Sequence, residues 1–228
     1  VLSKRLRLPV LLIVATGLLG IAARTPEVTR QDLRVDEALE TLRTPTLTAV
    51  ADGLNVAFGP VVGVWIIVSL AVTLAVMGRV RTAVLVTLMV TMGWTTSSIF
   101  KQIIARPRPP VSGQLLHMIG HDSFPSGHVT LTLSLAIAAG FLAAGTRRFP
   151  LVVSVGAVLV AAQAVARMYL GVHYPTDVIG SMLAAGAGTS AVIALRSGID
   201  RWIGRTPISH GSPGAADRRG SRNADDGA

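Results

Sequence analysis

The chain is 228 residues long, half hydrophobic and only 14% charged, with a formal charge of +9. That charge content lies well below the roughly 25% of an ordinary soluble domain, which points to a membrane protein. The lack of cysteine excludes disulfides, thiolate metal sites and cysteine nucleophiles, and in a membrane chain an arginine-rich balance signals cytoplasmic loops rather than a nucleic-acid partner.

Six stretches lack charge for membrane-like lengths: Leu8–Ala23, Ala57–Gly78, Thr82–Phe100, Val129–Thr146, Phe149–Ala166 and Val178–Leu195. A spanning helix needs about 20 largely apolar residues, with about 17 as the lower limit. The last five qualify once their ends extend into the interface. The first follows "KRLR" and precedes "IAAR"; it reads as a retained helix, with a signal peptide as the alternative. The expected fold is all-α: a polytopic membrane bundle of six transmembrane helices over residues 1–203, with its catalytic core at about 82–195. Residues 204–228 read as a cytoplasmic tail, and the Gly, Ser, Asp and Arg content from Thr206 onward predicts disorder. His210 within it is given no role.

Arginine placement sets the orientation. The N-terminal Lys4, Arg5 and Arg7, then Arg79 and Arg81, Arg147 and Arg148, and finally Arg196, Arg201 and Arg205 fall on one side if all six segments span. That side is assigned to the cytoplasm, with both termini. The long connections Arg24–Val56 and Lys101–His128 then lie on the outer side. In the first of these, Thr44-Pro45 reads as an N-cap followed by proline at the first helical position. Leu47, Val50 and Leu54 recur at helical spacing, as do Val35, Leu39 and Leu42. An amphipathic helix on the membrane surface fits these stripes, and so does packing against the bundle.

Polar residues gather at the outer ends of the last four segments. Lys101 follows segment three, His128 precedes segment four, Arg167 follows segment five and Asp177 precedes segment six. Taken singly, a cation at a helix end snorkels to the interface and an acid before a helix caps it. Neither habit explains why cations, histidines and an acid converge at one depth.

Phosphoryl transfer fits that convergence. Lys101, Arg108 and Arg167 would hold phosphoryl oxygens, which carry the spread charge of the transition state, and the guanidinium fork suits phosphate. Pro107 and Pro109 stiffen the backbone around Arg108. In "PSGH", Ser126 is placed to cap the fourth helix and Gly127 lets the backbone approach a ligand at a helix N-terminus. His173 and Asp177 are four residues apart, so either one helical face or a turn can pair them. Asp177 then orients His173 as a nucleophile, and His128 serves as general acid and then base. The competing reading, zinc held by two histidines and an aspartate, is opposed by the three cations nearby. His117, His121 and Asp122 read as polar loop groups, with substrate selection as the alternative.

These blocks resemble the type 2 phosphatidic acid phosphatases, a superfamily that also contains vanadium haloperoxidases and glucose-6-phosphatase. The signature is a lysine, six residues and Arg-Pro; then Pro-Ser-Gly-His; then Ser-Arg, five residues, His, three residues and Asp. Lys101 with Arg108-Pro109, Pro125-Ser126-Gly127-His128, and Arg167, His173 and Asp177 match it. The one departure is Ala166 where the signature has serine. The resemblance covers roughly Arg24 to Leu195. It implies a six-helix fold with a surface helix in the first outer loop, a phosphohistidine on His173, acid–base work by His128 and no metal or other cofactor. The resulting expectation is an integral membrane enzyme acting on a lipid phosphate or diphosphate at the outer face of a bacterial plasma membrane. The rivals are a phosphotransferase or haloperoxidase on the same site, and a lipid transporter.

Overall fold

The computed structural model describes residues 4–118 and 120–205. Eight helices follow one another: α1 (Arg7–Ala23), α2 (Pro26–Glu40), α3 (Pro45–Ala57), α4 (Pro60–Val76), α5 (Val80–Ile104), α6 (Gly127–Ala143), α7 (Phe149–Tyr169) and α8 (Pro175–Arg205). No strand occurs among the described residues, so the all-α expectation holds. The tail expected to be disordered, with His210, lies outside the described residues.

A helix overlies each of the six apolar stretches, and some of these helices are comfortably longer than the lower limit for a span. Four are: the stretch through α1, and α5, α7 and α8. A fifth span arises if α3 and α4, bent by 50° at Phe58-Gly59, act as one. The apolar α6 is shorter, at 17 residues. By length and composition alone, four to five spans are counted, against the six expected. The physical reason is local. Pro60 starts α4 anew after Gly59, and α6 is stopped by the turn at Ala144–Thr146.

The connection between the first two apolar stretches holds two helices rather than one. Thr25 and Thr44 cap them, each hydroxyl accepting from the backbone three residues on, at 3.5 and 3.2 Å, before a proline at the first position. Val35, Leu42, Leu47 and Val50 of the apolar stripes are exposed, whereas Leu54 packs against the buried cluster of Ala51, Tyr169 and Leu170. Those four positions do not pack on the bundle. What α2 turns inward is acidic: Asp32 and Asp36, one helical turn apart, are both buried.

The bundle is tight where small residues meet. A Cβ on Gly188 of α8 would stand 2.5 Å from the Gly93 nitrogen and the Met92 carbonyl of α5. Those atoms are backbone and cannot move aside, so α5 and α8 touch main chain to main chain. On the other side of α5, α1 brings Ala23 against Phe100, Ile104 and Phe124. The polar ends of α5, α6, α7 and α8 are thereby held near one another.

Candidate active site

Two chain reversals aim the catalytic candidates. The first ends α5. Ala105 takes a left-handed conformation with φ +45°, and its N–H bonds to the Lys101 carbonyl at 3.0 Å. Pro107 cannot extend the helix, so Arg106 and Arg108 leave it in extended chain. The second ends α7. Gly171, at φ +69°, donates to the Met168 carbonyl at 2.8 Å, and Val172 donates to the Arg167 carbonyl at 3.3 Å. This paired closure is the glycine C-terminal motif of helices. A side chain at Gly171 would also strike the Gly113 carbonyl carbon at 2.9 Å. The turn fixes the five-residue step from Arg167 to His173.

His173 stands just before α8, in the turn that the sequence left open. The helix begins at Pro175, and Asp177 lies in its first turn. Asp177 Oδ2 accepts from the Tyr174 N–H at 3.0 Å, the return arm of a capping box. The same oxygen lies 3.5 Å from His173 Nδ1. His173 Nε2 faces the other way and is 3.5 Å from Arg108 Nη1. Burial, and then the charges of Arg167, Lys101 and Arg108, push the His173 imidazole well below its ordinary range. The ring is therefore neutral at pH 7, with a lone pair available at Nε2.

Lys101, Arg108, Gly127, His128, Arg167 and His173 line one cavity of about 260 Å³. Phe58, Pro60, Trp94, Met118 and Leu131 supply its apolar wall, and Asp122 its one acidic group. The expected cluster of cations and histidines is thus brought together in space. Two expected site residues do not line the cavity. Asp177 lies behind His173, fully buried. Ser126 is also fully buried; it occupies the N-cap position of α6 without making the expected capping bond, and its hydroxyl has no hydrogen-bond partner among the described residues. The Ser126 carbonyl instead accepts from Thr130 and Ser181. Ala166, where the signature has serine, is buried in an apolar cluster with Ala51, Tyr169, Leu170 and Val172.

Several residues that the sequence did not single out support the site. The buried Arg106 donates to Asp177 Oδ1 at 2.6 Å and to Asp32 Oδ2 at 2.7 Å, with its carbon 4.0 Å over the Tyr174 ring. Ser123 donates to the other Asp177 oxygen, and Thr176 ties Asp32 to the start of α8. Asp36 lies beside this group with both oxygens unpartnered among the described residues, and burial pushes its carboxyl up to about 8. From α3, the Asn55 side chain accepts from Arg167, and the Asn55 backbone hydrogen-bonds His128. A faint signal existed for the acids: Asp32 and Asp36 are four apart, on one helical face. None existed for Asn55, whose partner Arg167 is 112 positions away.

What the cavity can do follows from its groups. Three cations can hold an oxyanion, a neutral imidazole backed by a carboxylate can attack it, and a second imidazole at a helix N-terminus can move a proton. Among the described residues, no three His, Asp or Glu side chains are grouped to hold a metal ion.

The sequence pattern of the PAP2 superfamily matches residues 63–200. Among solved structures, the chain is similar to the first transmembrane PAP2-type phosphatidylglycerolphosphate phosphatase from Bacillus subtilis. The TM-score is 0.72 at 25% identity, covering 87% of this chain and 98% of that one. LpxE from Aquifex aeolicus shares the fold, with TM-score 0.58 at 19% identity over 73% of this chain and 95% of the other. No curated protein matches the sequence.

Proposed function

Since the chain belongs to the PAP2 superfamily, we propose that it is an integral membrane phosphatase of a lipid phosphate or diphosphate, working through a phosphohistidine. The observation that carries this reading is the approach of His173 Nε2 to Arg108 in a cavity also lined by Lys101, Arg167 and His128. A phosphoryl group held by the three cations would present phosphorus to that nitrogen.

In the first step His173 Nε2 bonds to phosphorus and the bond to the lipid oxygen breaks. Once the anionic phosphoryl group offsets the surrounding cations, His128 carries the proton that it gives to the departing oxygen. In the second step His128 takes a proton from water, whose oxygen displaces the phosphoryl group from His173 and yields inorganic phosphate. Asp177, whose Oδ2 lies 3.5 Å from Nδ1, stabilises the charge that the ring gains on attack and is close enough to accept the Nδ1 proton's hydrogen bond when the ring shifts toward it. Gly127, at the start of α6, lets backbone N–H groups face the phosphoryl oxygens. No metal takes part in this scheme, because the cavity offers cations where a metal site would need anions.

The membrane arrangement belongs to the same proposal. All six apolar helices span, α6 with help from its flanking turns, and both termini are cytoplasmic. The site then opens on the outer face at the depth of lipid head groups. Candidate substrates are phospholipid phosphates, phosphatidylglycerol phosphate among them, and polyprenyl diphosphates.

The test is phosphate release from a panel of these lipids by the detergent-purified protein, with and without a chelator. Release is expected to survive chelation and to fall about a thousandfold or more in His173→Ala. Retained activity in a folded His173→Ala protein would sink the mechanism.

A further inference from the structure

One charged residue of the cavity has no part in that scheme, and it carries the wrong charge for the purpose. Asp122 is an acid among the cations. Its Oδ1 lies 2.9 Å from both Nε and Nη2 of Arg108. These two nitrogens form an edge of the guanidinium that can grip an oxyanion with two parallel hydrogen bonds. The remaining terminal nitrogen, Nη1, faces the Val172 carbonyl at 3.0 Å and His173 Nε2 at 3.5 Å. Arg108 therefore has its oxyanion-binding edge already engaged. The Asp122 backbone carbonyl in turn accepts from Lys101 Nζ. One loop residue thus occupies two of the three cations.

The two members of the pair differ in freedom. The Arg108 side chain is 5% exposed, whereas that of Asp122 is 49% exposed. Prolines on both sides and the Val172 carbonyl hold Arg108 in place. The carboxylate is the member that can leave.

We propose that Asp122 is a resident counter-ion of the phosphate site, a carboxylate that an arriving phosphoryl group must displace from Arg108. This rests on the phosphate-binding reading of the cavity. A phosphoryl group can win the exchange because it carries more charge and reaches Arg167 as well as Arg108 and Lys101. A carboxylate reaches only one guanidinium. The exchange weakens the site for every phosphate by the same factor. Inorganic phosphate, the product, is thereby kept from lingering, and the lipid tail supplies the affinity that the head group has lost. Asp122 in this sense sets the absolute affinity of the site, since it makes a bare phosphate a poor ligand without changing the preference among phosphates.

The test measures binding of orthophosphate and of orthovanadate by calorimetry, using the full chain in detergent. Wild type is compared with Asp122→Asn, which keeps the shape, and with Asp122→Ala. Both variants are expected to bind each anion about tenfold more tightly or better, with the KM for the lipid phosphate falling by a similar factor. In an Arg108→Lys background the gain is expected to shrink, because the carboxylate then has less to block. Unchanged or weaker anion binding in both variants overturns the proposal, as does the lack of measurable binding in all forms. The outcome is separable from that of the hydrolase reading. Tighter anion binding without lipid turnover would remove the hydrolase and keep the counter-ion. Turnover in wild type with unaltered anion affinity in the variants would do the reverse.

Discussion

Arg106 donates to Asp177 across 2.6 Å, with both side chains buried. The pair takes one Asp177 oxygen out of competition and leaves the other for Ser123, Tyr174 and His173. Removing one partner of a buried ion pair leaves an uncompensated charge, at a cost of about 3–5 kcal/mol. Arg106→Gln is expected to lower the Tm and to reduce phosphate release about a hundredfold. Asp32→Asn, which keeps Arg106 on Asp177, is expected to cost less on both counts. Thermal unfolding and initial rates measure the two effects, and a wild-type rate in folded Arg106→Gln would take Arg106 out of the machinery.

Asn55 reaches Arg167 with its side chain and His128 with its backbone. Asn55→Ala keeps the backbone contact and deletes the other. A hydrogen bond to a charged group contributes about 1.5–3 kcal/mol, so kcat/KM is expected to fall about tenfold to a hundredfold. A drop confined to thermal stability would assign Asn55 to the fold alone.

Ala166 marks the departure from the family signature, and its surroundings are apolar. It does not line the cavity. Ala166→Ser is expected to leave turnover within about threefold of wild type, since an α-helical serine can bond back to the carbonyl four residues earlier. A large gain in rate would show that the hydroxyl does reach the phosphoryl group.

Asp36 sets a pH dependence of stability. Its folded value of about 8 stands above the ordinary 3.8, so the folded protein keeps a proton that the unfolded chain has released. The contribution is complete below about 3.8 and is lost as pH rises through about 8. Asp36→Asn is expected to match wild type in Tm near pH 4 and to exceed it near pH 9. Melting curves across this range decide the matter, and parallel curves would count against a protonated Asp36.

The apolar stretches and the three polar blocks were legible because each rests on a local pattern: an uncharged run, or fixed spacing around a turn. Even the distance from Arg167 to His173 has a local cause in the Gly171 closure. What stayed hidden was whatever depends on chain segments meeting. Asp32 reaches Thr176 across 144 positions and Arg106 across 74, and no periodicity encodes such a meeting. Arg106 was in view, two residues before Arg108, but nothing in "ARPRP" tells which arginine turns inward toward Asp177. One break in the backbone was hidden as well. Hydropathy runs through Phe58-Gly59 without interruption, while the backbone bends there by 50°.

The contact between Gly93 and Gly188 acts as the rivet of a pair of shears. Lys101 stands eight residues along one blade and Asp177 eleven along the other, about 12 and 16 Å from the pivot at 1.5 Å per residue. A tilt of about 5° between the blades would shift their tips by about 1 Å, enough at an active site to cost a large part of the rate. Two residues that carry no side chain, far from any chemistry, therefore set the gauge of the cavity.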